Sequence, residues 1–497
     1  MIGEQNKDTG IVFETSCGWE QLLISAKSQF RKESESKASA AEKEGDDSIT
    51  DLDAYLSKTK GSAKLFSRAS EFFVGGQSHN ARFFKPYPFF AARSSGKYIW
   101  DVDGNRFVDY WMGHTALILG HSPKVVTDEL RDQIENGLFF GSPNIYAYEL
   151  GELIHKNVPC AESIRFCTTG AEATMYAVRL ARAASGRNIV VKIAGGWHGY
   201  NSTLVFGVSS PFEEPESAGL VPGEEKYTRL ISFNDIEEAD RVLSSESQDI
   251  AAVIVEPVLG GGGVVPAERD FLVFLREKCD RIGSLLIFDE IITGFRLGLQ
   301  GGQGYYRVLP DLCTLGKIIG GGLPASAIAG KKDTMKFADT SLFPSKKQRC
   351  WIGGGTFSEN ALAMRAGIAT LRYLEAHAKD LYNRIGKFGT ELRKKVDEAF
   401  AENGIKTQST GVGSLFVTHF LADGQDVITC AEDVDLSRRD LEREYYFSLV
   451  SKYNIFFIPG HIGAISDAHE QSDIEYFVES SREVARRLKI KQRLKSQ

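Results

Sequence analysis

The run Leu285–Phe295, LLIFDEIITGF, and the run Thr314–Pro324, TLGKIIGGGLP, decide the fold. Continuous apolar residues closed by an acid read as a strand buried on both faces, delivering Asp289 at its carboxyl end. Lys317 follows in a glycine-rich turn, on what reads as a neighbouring strand end. Working outward, four more short apolar runs repeat the pattern: SIRFCTT (163–169), NIVVKIAG (188–195), RLISF (229–233) and IAAVIVEP (250–257). Amphipathic helices alternate with them, among them AEATMYAVRLARAAS (171–185) and RDFLVFLREKCDRIG (269–283). Such alternation predicts an α/β fold whose mostly parallel sheet is covered on both faces. Ligands in such sheets bind beyond the strands' carboxyl ends, which is where Thr169, Glu256 and Asp289 fall.

The 497-residue chain is expected to divide into a partly disordered extension (1–50), a segment joining the smaller domain (51–110), a large domain (111–375) and a smaller α+β domain (376–497). The charged stretch RKESESKASAAEKEGDD (31–47) has too few apolar side chains to offset its ordering entropy. The second segment reads as one helix, a loop, and a hairpin, KYIWDVDGNRFVDY, turning at Asp103-Gly104. The last reads as a helix (381–400), strands GSLFVTHF (413–420) and NIFFIP (454–459), and a closing helix (472–489). A net charge of −7, with no basic cluster interleaved with aromatics, argues against a nucleic-acid partner. No apolar run reaches about 18 residues, so no membrane span is expected, and the first ten residues lack the features of a secretory signal. Seven scattered cysteines without C-x-x-C, and nine histidines without ligand spacing, suit reduced thiols in the cytoplasm and no metal site.

Several turns carry candidate chemistry. Thr169 and Gly170 lie between a strand and a helix opened by Ala171 and Glu172, which reads either as an anion cup or as an ordinary capped turn. GGWHGYN (195–201) offers Trp197 as a flat stacking face and His198 as a hydrogen-bonding group, or both as core. GGGTFSEN (353–360) offers Thr356 as a further hydroxyl donor, and EPVLGGGGVVP (256–266) a loop of bare backbone beside Glu256. Arg82, in a loop, suits a carboxylate. An acid and a lysine on neighbouring strand ends are what pyridoxal 5′-phosphate chemistry needs: the lysine forms an imine with the aldehyde, and the acid keeps the pyridine nitrogen protonated.

With these runs in place, the chain resembles class III aminotransferases of pyridoxal phosphate fold type I, and within them the branch of glutamate-1-semialdehyde 2,1-aminomutase. The resemblance spans about residues 67–487 and rests on DVDGNRFVDY, LILGH, RFCTTGAEATMYAVRLARA, WHGYN, VEPV, LLIFDEIITGFR, PDLCTLGKIIGGGLP and GGGTFSENALAMRAG. It implies a large domain with a seven-stranded sheet plus the smaller domain. It implies that Lys317 holds the cofactor and shuttles the proton, Asp289 pairs with the ring nitrogen, and Ile291 packs on the ring. Trp197 takes the place of the stacking aromatic with His198 beside it. Thr169, Gly170 and Ala171 would hold the phosphate, and Thr356 would reach the phosphate of a neighbouring subunit in a homodimer with shared active sites. Arg82 matches an arginine for a substrate carboxylate.

Departures from the family pattern fall at the phosphate turn, beside the cofactor and in the substrate pocket. Ala171 replaces a threonine, Gly261 an asparagine, His114 a tryptophan and His79 a serine, and the segment 458–469 is shorter and lacks a glutamate. The expected activity is transfer of an amino group from a carboxylate-bearing, β- or ω-, amino acid to an oxo acid. The alternative is the aminomutase, which moves the amino group within one molecule in tetrapyrrole synthesis. A non-catalytic scaffold is disfavoured by the presence of both Lys317 and Asp289.

Overall fold

The computed structural model describes residues 50–495; the expectations for residues 1–49, including the charged stretch and Cys17, lie outside them. Two helices, Asp51–Lys58 and Lys60–Ala69, open the described chain where one was expected. Thr59, at φ −119° and ψ 36°, breaks them apart. Strands β1 (Ala91–Ser95), β2 (Tyr98–Asp101) and β3 (Arg106–Asp109) form an antiparallel meander, with the expected turn at Gly104 (φ 87°).

Next come β4 (Ser163–Cys167), β5 (Ile189–Ile193), β6 (Thr228–Ile231) and β7 (Ile250–Val255). A short hairpin, β8 (Val258–Leu259) and β9 (Val265–Pro266), leads to β10 (Leu285–Glu290), β11 (Leu312–Leu315) and β12 (Ser326–Gly330). Seven of these form one sheet in the order β4-β12-β11-β10-β7-β5-β6. All point the same way except β12, which runs antiparallel to both neighbours. Every residue of β5 and β7 is buried, as sheets covered on both faces require. Fully buried side chains such as Phe271 and Phe288 each contribute about 1.5–3 kcal/mol.

Helix Ala361–Ala401 is 41 residues long. The helix expected at 381–400 is its second half, and the boundary expected at 375/376 falls inside it. No glycine–proline pair or cap interrupts ALAMRAGIATLRYLEAHAKD, so the helix continues. Strands β13 (Thr407–Thr410) and β14 (Leu415–Phe420) pair antiparallel, β15 (Ile455–Phe456) joins β3 in parallel, and β16 (Gly463–Ala464) joins β14. Helix Gln471–Lys495 closes the chain and packs on the long helix. Among the described residues no helix is long and apolar enough to cross a membrane, and no cluster of three metal-ligating side chains occurs.

Candidate active site

Asp289 stands near the carboxyl end of β10, 4% exposed. Its Oδ2 is 2.7 Å from His198 Nδ1. Its Oδ1 accepts from Thr314 Oγ1 at 2.8 Å and from the Ile291 N–H at 3.1 Å. Thr314 is its register partner on β11, a contact that strand pairing dictates and the sequence reading missed. An ionised Asp289 fixes the imidazole proton on Nδ1, and the buried His198 Nε2 then has no partner among the described residues.

Glu256 follows β7. Its Oε1 accepts from the Trp197 N–H (2.9 Å) and its Oε2 from the Gly260 N–H (3.0 Å), so one carboxylate ties two loops together. Burial raises its pKa and the nearby Asp289 adds to this, while His198 opposes. Trp197 is 36% exposed and meets Tyr200 edge-on at 4.6 Å.

Lys317 begins a single 3₁₀ turn after β11, at φ +49°. The glycines around it serve packing: a Cβ on Gly321 would lie 2.4 Å from the Ala366 carbonyl oxygen, and one on Gly367 would lie 2.2 Å from that of Ile319. The long helix thus presses its backbone directly onto the lysine turn. Burial lowers the Lys317 pKa to about 8; Asp289 and Glu256 pull it upward, and the buried Arg296 pushes it down.

At the amino end of helix Gly170–Ser185, Thr169 and Glu172 form a capping box. The capped-turn reading of Thr169 is therefore realised, and it leaves the N–H groups of Gly170 and Ala171 unused by the helix. The buried Thr168 Oγ1, absent from the sequence reading, has no partner among the described residues. Ile291 lies between the glycines of two turns: Cβ atoms on Gly170 and Gly316 would meet its Cδ1 at 3.1 and 2.9 Å. Gly199 (φ +84°) lets the Trp197–His198 loop close on this helix end, since a Cβ there would lie 2.5 Å from that of Ala171. Gly199→Ala is expected to destabilise the protein by about 1–3 kcal/mol, read as a lowered urea midpoint.

The expected substrate residues form a second wall. His79 and His114 rings are 5.0 Å apart, and His114 is 4.2 Å from Trp111. His461, which sequence reading passed over, meets Trp111 at 5.5 Å. Its position depends on the path of the chain after β15, for which no local motif gives a signal. Arg82 is exposed beside this group. His114 is pushed down to about 3 by burial, then by His79, Arg82 and Lys317, so it is neutral at working pH. It lies in a run of four left-handed residues, Met112 (φ 45°), Gly113 (59°), His114 (59°) and Thr115 (68°). Asp109 Oδ1 accepts the Trp111 and Met112 N–H groups at one end of this turn. At the other end Arg296 Nη2 donates to the Thr115 carbonyl at 2.6 Å. Strain of this kind persists where surrounding structure over-determines it. Thr356 is exposed, in a turn whose Gly355 lies against Glu172 and Thr168.

A strand-end acid and lysine in an α/β sheet, beside a helix amino end and a stacking aromatic, define the architecture of a fold type I pyridoxal phosphate enzyme. Residues 80–439 match the family model for aminotransferase class-III. The chain is 39% identical to glutamate-1-semialdehyde 2,1-aminomutase of Sulfurisphaera tokodaii, over 83% of this chain and 96% of that protein. Among solved structures, an omega-transaminase from Sphaerobacter thermophilus superposes with a TM-score of 0.79 at 31% identity, covering 85% and 97% of the two chains. A beta-phenylalanine aminotransferase from Variovorax paradoxus gives 0.76 at 28%, covering 93% and 96%. The protein belongs to the class III aminotransferases, and its cofactor is pyridoxal 5′-phosphate.

Proposed function

We propose that the protein transfers an amino group from a carboxylate-bearing, β- or ω-, amino acid to an oxo acid. The observation that carries this reading is the wall of His79, His114, His461 and Trp111 beside Arg82, built on the strained Met112–Thr115 turn. A second reading, the intramolecular aminomutase, is favoured by the 39% identity to a protein of that name.

The residues fit the cofactor: the cleft holds unspent helix N–H groups, the unpartnered Thr168 hydroxyl and His198 Nε2, and an amine with a lowered pKa. Pyridoxal phosphate supplies an aldehyde that takes up nitrogen and a ring that takes up electron density. Asp289 would pair with the ring nitrogen and hold its proton, with His198 and Thr314 fixing the carboxylate. Trp197 and Ile291 would flank the ring, and Glu256 holds the Trp197 loop in place. Thr169, Gly170 and Ala171 bind the phosphate through the helix end. Arg82 binds the substrate carboxylate, while His79 and His114 shape the space for the rest of the substrate. Lys317 would hold the cofactor and supply the amine that moves the proton at the carbon bearing the nitrogen. With a pKa of about 8, roughly a quarter of the free amine is neutral at pH 7.5.

The protein acts as a homodimer in which Thr356 reaches the partner's phosphate. What supports this is an exposed apolar group around that turn, comprising Phe139, Phe140, Ile145, Tyr148, Trp351 and Phe357. The six described cysteines, all free, support a cytoplasmic setting.

The test is turnover with and without an acceptor. Enzyme is mixed with glutamate 1-semialdehyde, and separately with β- and ω-amino acids, each with and without 2-oxoglutarate or pyruvate. Turnover of an amino acid only when an oxo acid is present is the expected result. Sustained formation of 5-aminolevulinate with no oxo acid present would establish the aminomutase instead.

A further inference from the structure

Lys192 lies on β5, in a strand otherwise made of isoleucine and valine, and is 0% exposed. Its register neighbours on β6 and β7, Leu230 and Ile254, are apolar. No carboxylate lies within ion-pair distance of it among the described residues. Instead Nζ donates to three backbone carbonyls: Gly196 at 2.9 Å, Leu204 at 3.2 Å and Phe206 at 2.6 Å. All three belong to the loop that carries Trp197 and His198. An ammonium has three N–H donors and no acceptor, so all three bonds are used.

We infer that Lys192 is a positioning residue whose ammonium holds the Gly196–Phe206 loop, and with it Trp197 and His198, in the geometry that receives the cofactor ring. The inference rests on the proposed roles of Trp197 and His198. Glu256 grips the same loop from the other side through the Trp197 N–H. The two contacts are complementary, since a buried cation takes the loop's carbonyls and a buried acid takes its N–H. A neutral amine keeps two N–H donors and turns a lone pair towards the third carbonyl, so deprotonation loosens the loop. Burial lowers the Lys192 pKa to about 7, with Glu256 and Glu216 pulling it upward. Two further charged groups touch this loop: Asp289, through His198, and Arg182, which bonds Thr203 Oγ1 at its outer part. The hold is therefore complete below pH 7 and is lost as pH rises through that value.

The test measures binding of pyridoxamine 5′-phosphate, which has no aldehyde, by Lys317→Ala protein with and without Lys192→Met, from pH 6 to pH 9. Removing Lys317 removes its own titration. Lys192→Met is expected to weaken binding about tenfold or more at pH 6, through loss of charge-assisted bonds, and the gap is expected to narrow by pH 9, where the neutral amine keeps two of its three donors. A gap that is the same at every pH, or no gap, overturns the proposal. Failure of the Lys317→Ala protein to bind the ligand at all overturns the cofactor-site reading and this inference with it. Should Lys192→Met not fold, amide hydrogen exchange of residues 196–206 in the unaltered protein decides. Protection, corrected for intrinsic rate, is expected to fall between pH 6 and pH 8.5, and constant protection overturns the inference.

Discussion

Lys317→Ala is expected to lower kcat by at least about 10⁴-fold, because in the proposed mechanism one side chain serves as both cofactor nucleophile and proton carrier. Its placement supports both duties. The amine sits at the end of β11, held by the long helix against its turn, and burial brings its pKa to about 8. The same lowering makes a second, opposite forecast for the cofactor-free protein. A folded-state pKa of about 8 lies below the usual lysine value of 10.5, so the charged amine is disfavoured on folding. The folded protein bears this cost in full below pH 8, and stability recovers as pH rises from 8 towards 10.5, where the unfolded chain holds more protons. Lys317→Met should therefore raise the thermal midpoint at pH 7 while removing activity. Retention of more than a hundredth of the rate would sink the proposed role, and an unchanged midpoint would sink the account of the pKa.

For Asp289→Asn the expected loss in kcat is about 10²–10⁴-fold, with the fold intact. The amide is the same size but carries no charge to hold a proton on the ring nitrogen. It also disturbs its neighbours. Asp289 accepts from Thr314 Oγ1, from the Ile291 N–H and from His198. An amide keeps one acceptor oxygen and sets an N–H₂ against groups arranged to donate, so His198 must shift its proton to Nε2 to remain bonded. Stopped-flow absorbance of the cofactor in each half-reaction, alongside the circular dichroism of the folded variant, separates loss of charge from loss of structure. A rate within tenfold of the unaltered enzyme would remove Asp289 from the chemistry.

The parallel part of the fold was legible because β5, β7 and β10 are buried on both faces and so read as unbroken apolar runs. β12, SAIAG, is too small and too poor in branched residues to signal a strand; its neighbours on the sheet, not its own sequence, make it one. The long helix was read as two, one opening after Asn360 and one at 381–400, because nothing local marks where a helix joins two parts of a molecule. In the site, Asp289, Glu256, Lys317, Thr169 and Trp197 were visible as strand-end and turn residues. Thr314, Lys192 and His461 were not. Thr314 matters through cross-strand register, Lys192 through carbonyls up to 14 positions away, and His461 through rings contributed by a distant segment. None of these relations leaves a spacing that can be counted along the chain. The glycine run after Lys317 was read as a turn signal, and the structure adds that it makes room for a helix backbone.

The reversed direction of β12 has a consequence for how such a protein tolerates change over generations. Parallel neighbours are joined by crossovers, and insertions accumulate in those connections. Lys317 lies instead on the direct link between two antiparallel neighbours, residues 316–325, with Leu315 facing Ala327 across the closed end. That link is anchored on both sides by the sheet, so growth or shortening of the surface crossovers leaves the lysine where it is. The proposed substrate wall hangs from other segments altogether, the loop before β1, the turn after β3 and the stretch after β15. On the proposed reading, changes at His79, His114 and His461 alter the space for the donor while the amine of Lys317 stays at a fixed address.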